Sequence, residues 1–186
     1  MSIDTLAEAQ SAARIVLAGV SSDQLAASSP CAEWDVAAII DHLVGAQYWF
    51  VQAISASSTP GDGAVKASSG DYRAAFDEAA GSVMGALSED GFATRTVELP
   101  FGTFSGAQFI DFASLETLAH AWDVARATSQ NTDLAPVAAV HLLEVARTTM
   151  SDDGRGLDAN FGPVQPCAPD APAADVLAAY LGRRVD

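Results

Sequence analysis

The chain has 186 residues, enough to bury a real core in one domain, and with 49% hydrophobic and 18% charged residues its composition is globular. Nine Lys and Arg against 24 Asp and Glu give a formal net charge of −15. With no basic cluster, such a surface repels phosphate backbones and anionic lipid, so neither nucleic acid nor a membrane is an expected partner.

The opening "MSIDTLAEAQ" carries acids where a secretory signal would carry Lys or Arg, and no apolar run approaches the roughly 20 residues needed to span a bilayer. The expected location is the cytoplasm. There Cys31 and Cys167, far apart in Pro-containing loops, are expected to be free thiols.

Apolar residues at Ile3, Leu6, Ala9, Ala13, Val16 and Leu17 predict a first amphipathic helix over residues 3–19. "SSDQLAASSPCAEW" is a Ser- and Pro-rich loop. Asp35 is a candidate N-cap, with Trp34 before it and Ile39 placed to close a hydrophobic staple. A second helix follows over about residues 36–55, then the loop "ASSTPGDGAVKASSG" and a third helix over 71–88. "TRTVELPFGTFSG" breaks this texture with β-branched and aromatic residues around Pro-Phe-Gly, predicting a short hairpin within about residues 94–105. Two more long helices are predicted over about residues 106–128 and 136–150. The tail is mostly loop and closes with a short helix in "AADVLAAYLGRRV". The expected fold is all-α: residues 1–186 form one domain, a four-helix bundle over about 1–150 with a small β insertion and a short C-terminal helical tail.

The fourth long helix contains "SLETLAHAWDVARAT". Glu116 and His120 lie four residues apart there, so they differ by about 40° in direction and about 6 Å in height and share a face. A carboxylate and an imidazole so placed can grip one divalent ion. The second helix adds His42, flanked on its own face by Ile39, Gly45, Ala46 and Trp49, with small residues leaving room beside the ring. Two imidazoles and one carboxylate form a divalent-metal set with coordination positions left for water or substrate. Spacing alone leaves two plainer readings open, a satisfied core histidine and a solvated Glu–His pair. His141, the third histidine, reads as a partly exposed helix residue near Glu144. There is no G-x-S-x-G elbow, P-loop, Rossmann glycine pattern or C-x-x-C, so nucleophilic hydrolysis and nucleotide chemistry have no foothold.

"PCAEWDVAAIIDHLVGAQ" followed by "ETLAHAWDVARAT" resembles the DinB-like superfamily. The resemblance is to its actinobacterial branch, which includes the N-terminal domain of mycothiol-dependent maleylpyruvate isomerase. The closing "APAADVLAAYLGRR" resembles the tail of metal-binding proteins of that branch. The resemblance implies a four-helix bundle with one metal site at one end. The ligand histidine after the W-D-V entry to the second helix falls on His42, and the E-x-x-x-H pair before the W-D dipeptide falls on Glu116 and His120. Other DinB-like proteins have H-x-x-x-H at the pair, so Glu116 agrees with the isomerase branch. The isomerases carry a further C-terminal α/β domain, and the stretch after Met150 is expected to be too short for it.

The implied cofactor is Zn²⁺, with Ni²⁺ or another divalent ion as substitutes, and the implied co-substrate is a small thiol such as mycothiol. The first functional expectation is a thiol-dependent transferase or isomerase acting between that thiol and an electrophile. Trp49, Phe101 and Phe104 are candidate pocket walls whose competing role is core packing. The alternatives are a metal-dependent hydrolase, with Asp123 as general base or as a support to His120, and a non-catalytic metal or small-molecule binder. Arg126 points away from the site and receives no role. A homodimer is compatible with the sequence.

Overall fold

Among the described residues, six α-helices and one β-hairpin follow one another. They are α1 (Ile3–Gly19), α2 (Val36–Ile54), α3 (Tyr72–Leu87), β1 (Thr96–Leu99), β2 (Gly102–Ser105), α4 (Gly106–Ala127), α5 (Pro136–Thr149) and α6 (Ala173–Tyr180). The structure is a computed structural model describing residues 3–31, 34–55, 65–150 and 161–185.

Local chemistry sets where the helices begin. The Asp35 carboxylate accepts the Ala38 N–H at 2.8 Å at the start of α2, and Asp71 accepts that of Ala74 at 3.1 Å at the start of α3. Ser105 and Gln108 satisfy each other's backbone N–H groups at the start of α4, a reciprocal capping box. The N-terminus of α5 carries Pro136 and is capped from α1, whose Glu8 carboxylate accepts from Val137 and Ala138. Its negative charge also suits the positive end of the helix dipole.

α1 packs on α3 and α4, and α2 packs on the same two helices, so the four form a closed ring in the order α1, α3, α2, α4. α5 and α6 pack on each other and against α4. The apolar interior has two parts. Val36, Ile40, Leu43, Leu118, Trp122, Leu142 and Leu177 belong to a larger one that reaches α5 and α6. The smaller one joins Leu6, Phe50, Val83, Phe92, Val97 and Phe109 beneath the hairpin, which pairs Thr96 with Ser105 and Leu99 with Gly102. Within the bundle a buried polar relay fixes the relation of α1, α2 and α4. Gln10 Nε2 donates to Gln47 Oε1 at 3.0 Å, and Gln47 Nε2 donates to the Thr117 hydroxyl at 3.0 Å. Thr117 is the neighbour of Glu116, so this relay sets the seam between α2 and α4 on which the candidate ligands sit.

The predicted all-α bundle with a small β insertion is the observed fold, and most helix ends agree within a residue or two. The tail helix is shorter than predicted. It stops at Tyr180 because Gly182 takes a left-handed conformation (φ 95°), while its N–H returns to Ala179 O and that of Arg183 to Ala178 O. These two bonds are the Schellman ending of a helix, which Gly satisfies without a Cβ penalty. Part of the predicted loop after α2 (56–64) and part of the tail (151–160) lie outside the described residues.

Candidate metal centre

His42 stands in the second turn of α2, and Glu116 and His120 stand one turn apart on α4. The structure brings all three together. His42 Nε2 is 2.6 Å from Glu116 Oε1, and His120 Nε2 is 3.3 Å from the same oxygen. One ligating atom from each residue lies within 4.8 Å of the other two. The imidazole rings meet edge to face with centroids 4.7 Å apart.

The loop before α2 supplies the wall. Val36 and Ala37 donate backbone bonds to Ala27 and Leu25, and the Ser29 hydroxyl reaches the Trp34 carbonyl at 2.7 Å. The segment is thereby pinned across the helix start. The Trp34 ring lies 4.7 Å from that of His42 and 5.5 Å from that of His120. The residue read as part of a staple thus also roofs both imidazoles.

His120 is held from behind. Its Nδ1–H donates to Asp123 Oδ2 at 3.0 Å, which leaves Nε2 facing Glu116 and His42. Asp123 is fully buried, and Arg183 donates to both its oxygens, from Nε at 3.2 Å and from Nη2 at 3.0 Å. The Cys31 thiol donates to the same Oδ2 at 3.1 Å. A carboxylate behind a ligand histidine fixes its tautomer and ring orientation and raises its basicity. Of the two roles considered for Asp123, the geometry gives it the supporting one. Its oxygens are engaged by the Nδ1 side of His120, by Arg183 and by Cys31, away from the Nε2 that faces the other two candidate ligands.

Charge follows this arrangement. Burial pushes the Glu116 carboxyl up, but the charge and hydrogen bonds of the two imidazoles outweigh it and hold the group far below the ordinary carboxylate range. Burial pushes His120 down, and the Glu116 charge with the Asp123, Cys31 and Glu116 hydrogen bonds more than reverses that, leaving it well above the ordinary imidazole range. For Asp123, burial is likewise overcome by His120 and Arg183, and the acid stays ionised. Without an ion, the cluster therefore holds a carboxylate against an imidazolium. A divalent cation would replace that proton and keep the charge neutralised.

Two overlapping donor sets can be drawn among the described residues: His42, Glu116 and His120, or Cys31, His120 and Asp123. The second already contains a cation, because the Arg183 guanidinium occupies Asp123 and sits 3.8 Å from Cys31 Sγ. In the first set the charge facing the carboxylate is an exchangeable proton on an imidazole and not a fixed guanidinium, and its donor types fit a divalent ion with open positions.

The other candidates fall elsewhere. Trp49, Phe101 and Phe104 do not form the wall of this cluster. Trp49 packs on Phe50, Phe101 and Phe112, and Phe104 packs on Phe101, at the hairpin end of the bundle. Trp49 is seven residues beyond His42, about 10 Å along the helix, whereas the preceding loop places Trp34 directly on the rings. His141 is half-buried as expected, but its partner is Asp111 on α4 at 2.9 Å, and Glu144 is exposed. Arg126 is exposed. Cys31 and Cys167 are free thiols. No helix among the described residues is long and apolar enough to cross a membrane.

Residues 6–125 match the family described as the mycothiol maleylpyruvate isomerase N-terminal domain. The chain belongs to that family. The matched span includes His42, Glu116, His120 and Asp123 and ends well before Arg183. Two proteins from two strains of Mycobacterium tuberculosis, each described as an uncharacterized protein, are 38% identical to it over 181 residues. The alignments cover 95% of this chain and 94% of theirs, so the likeness to these relatives continues through most of the tail. No solved structure matches.

Sequence reasoning missed Arg183, the site role of Cys31 and the roof formed by Trp34. Trp34 and Cys31 had a usable signal, since both stand a few residues ahead of the helix that carries His42. Arg183 had none beyond the Gly182 that turns it inward.

Proposed function

We propose that His42, Glu116 and His120 hold one divalent ion, Zn²⁺ in the cell, and that the protein is a transferase or isomerase using a small thiol of the mycothiol type. The observation that carries this reading is the convergence of two Nε2 atoms on one Glu116 oxygen, with the Nδ1 of His120 already committed to Asp123. Membership of the mycothiol maleylpyruvate isomerase N-terminal domain family supports the thiol. When bound, such an ion supplies an open position at which a thiol loses its proton near neutral pH.

The protein's own groups would do the rest. Asp123 keeps the proton of His120 on Nδ1, Glu116 supplies the negative charge that offsets the cation, and Trp34 shields the imidazoles from water on one side. The thiol reading is favoured over the hydrolase by what surrounds the three ligands. Asp123 is the nearby candidate base, and it is locked to His120 and Arg183. Coordination deprotonates a bound thiol outright, whereas it brings a bound water only to a pKa of about 7, so the thiol depends less on a separate base.

The test is metal analysis of untreated protein, followed by a screen of thiol and electrophile pairs with and without chelator. One equivalent of metal and chelator-sensitive, thiol-dependent conjugation are expected. Thiol-independent, chelator-sensitive ester or amide cleavage would replace this reading with the hydrolase. One equivalent of metal without turnover of either substrate class would leave a binding protein.

A further inference from the structure

The C-terminal arm lies outside the span that matches the family, yet it touches the candidate metal centre. Two side-chain links tie it to the α4 turn that follows His120. Trp122 Nε1 donates to Asp175 Oδ1 of α6 at 2.7 Å, and Arg183 grips both oxygens of the adjacent Asp123. The backbone aims the guanidinium. At Gly182 the chain turns back through its Schellman ending, so close to Gly162 that a Cβ there would stand 2.7 Å from the Gly162 Cα. The turn sends Arg183 inward, where its side chain is 10% exposed against an Asp123 side chain that is wholly buried.

A buried carboxylate with one donor can tilt, and its imidazole partner tilts with it. Asp123 is held against that, because the planar guanidinium fork spans its two oxygens while His120 and Cys31 also hold Oδ2. The relay runs from Arg183 to Asp123 to His120 Nδ1 and ends at the Nε2 that faces Glu116.

From this geometry we infer that Arg183 is a positioning residue of the metal centre, and that docking of the C-terminal arm and binding of the ion strengthen each other. The inference rests on the metal assignment above. It adds that an element outside the family domain sets how tightly that domain holds its ion. Linkage requires the coupling to act both ways: if the docked arm tightens the ion, the ion must tighten the arm.

The experiment uses the full chain with Co²⁺ as the probe, together with ¹⁵N-histidine labelling. In metal-free protein the His120 Nδ1 proton should give a resolved, slowly exchanging resonance. Arg183→Gln should speed its exchange, weaken Co²⁺ binding about 10-fold or more, and alter the Co²⁺ absorption spectrum. Arg183→Lys keeps a cation near Asp123 but not the two-pronged fork, so it should recover only part of the lost affinity. Gly182→Ala leaves the guanidinium intact but spoils its aim, so it should behave like Arg183→Gln, and it carries the same test if the Gln variant fails to fold. In the wild type, Co²⁺ should slow amide exchange over residues 173–185.

A helical Arg183→Gln protein with wild-type affinity, spectrum and Nδ1 exchange would overturn the inference. Wild-type affinity and Nδ1 exchange in Arg183→Lys would overturn the role of the fork and leave only a charge at work. Absence of Co²⁺ binding in the wild type would instead sink the metal assignment. The Nδ1 proton in metal-free protein would still decide whether Arg183 positions His120.

Discussion

α4 carries two acid–imidazole pairings five residues apart, and they differ in kind. Asp111 meets His141 of α5 at 2.9 Å, one acid with one ring. Glu116 meets His42 of α2 and His120 of its own helix, so two Nε2 atoms converge on a single oxygen. Behind His120 stand Asp123, Arg183 and Cys31, while the pairing at Asp111 adds no third metal-type ligand among the described residues. A close contact between a carboxylate and an imidazole is therefore weak evidence of a metal site. Convergence of three donors, with one ring oriented from behind, is the stronger sign, and it separates the two pairings on the same helix.

The sharpest way to break this comparison is to delete ligands. His120→Ala removes a donor and cuts the link between Asp123 and Glu116, so metal affinity should fall by more than about 100-fold, beyond the loss from a supporting residue alone. His42→Ala should come close to that. Isothermal titration with Zn²⁺ decides the matter, and full stoichiometry at wild-type affinity in both variants would remove the distinction between the two regions.

Next in size is the effect of the ion on stability. It would join α2 to α4, and binding only to the folded state at about 100 times Kd stabilises by about 2.7 kcal/mol. In a chain of this length that is roughly 5–10 °C in Tm. The pH dependence has a definite sign. In the metal-free protein the raised pKa of His120 gives stability that is complete at pH below the unfolded imidazole value and fades as pH rises through the raised one. Glu116 acts oppositely: its depressed pKa gives stability above the unfolded carboxylate value, lost as pH falls. A metal ion needs the Nε2 that the proton occupies, so binding should tighten as pH rises towards the raised His120 value. The Tm increment from Zn²⁺ should grow over the same interval, and an increment that shrinks with rising pH would contradict the proton–metal exchange.

A smaller effect should be optical. Trp34 lies against both imidazoles, so Zn²⁺ loading should change its emission, and Trp34→Phe should abolish most of that change. A response retained in Trp34→Phe but lost in Trp49→Phe would move the wall of the site to the hairpin end.

How much of this could be read from the chain follows from the range of the interactions. Helical periodicity and caps act over three or four residues, so α1 to α5 and the hairpin were legible, as was the shared face of Glu116 and His120. The approach of His42 to Glu116 spans 74 residues and has no local signal; the family resemblance supplied it. Arg183 and Asp123 are 60 apart and Cys31 and Asp123 are 92 apart, and only packing of the arm and of the loop before α2 brings them together. The length of α6 was misjudged because Leu181 to Val185 continues an apolar pattern that Gly182 interrupts. Trp49 was a candidate wall and Trp34 was not, because helical faces can be projected from sequence and loop paths cannot.

The smallest expected effect on metal binding is the one that tests the comparison most directly. His141→Ala removes the ring facing Asp111 and leaves His42, Glu116, His120 and their supports untouched. Asp111 is almost fully buried and would lose a hydrogen bond, so the variant should lose about 1–3 kcal/mol of stability, read from urea unfolding. Zn²⁺ stoichiometry and affinity should nevertheless match the wild type, because a carboxylate facing a single imidazole does not complete a ligand set. The two quantities must separate in this variant and move together in His120→Ala. If His141→Ala instead lost its ion while remaining folded, the Asp111–His141 pair would belong to the metal centre, and the contrast between the two pairings on α4 would fail.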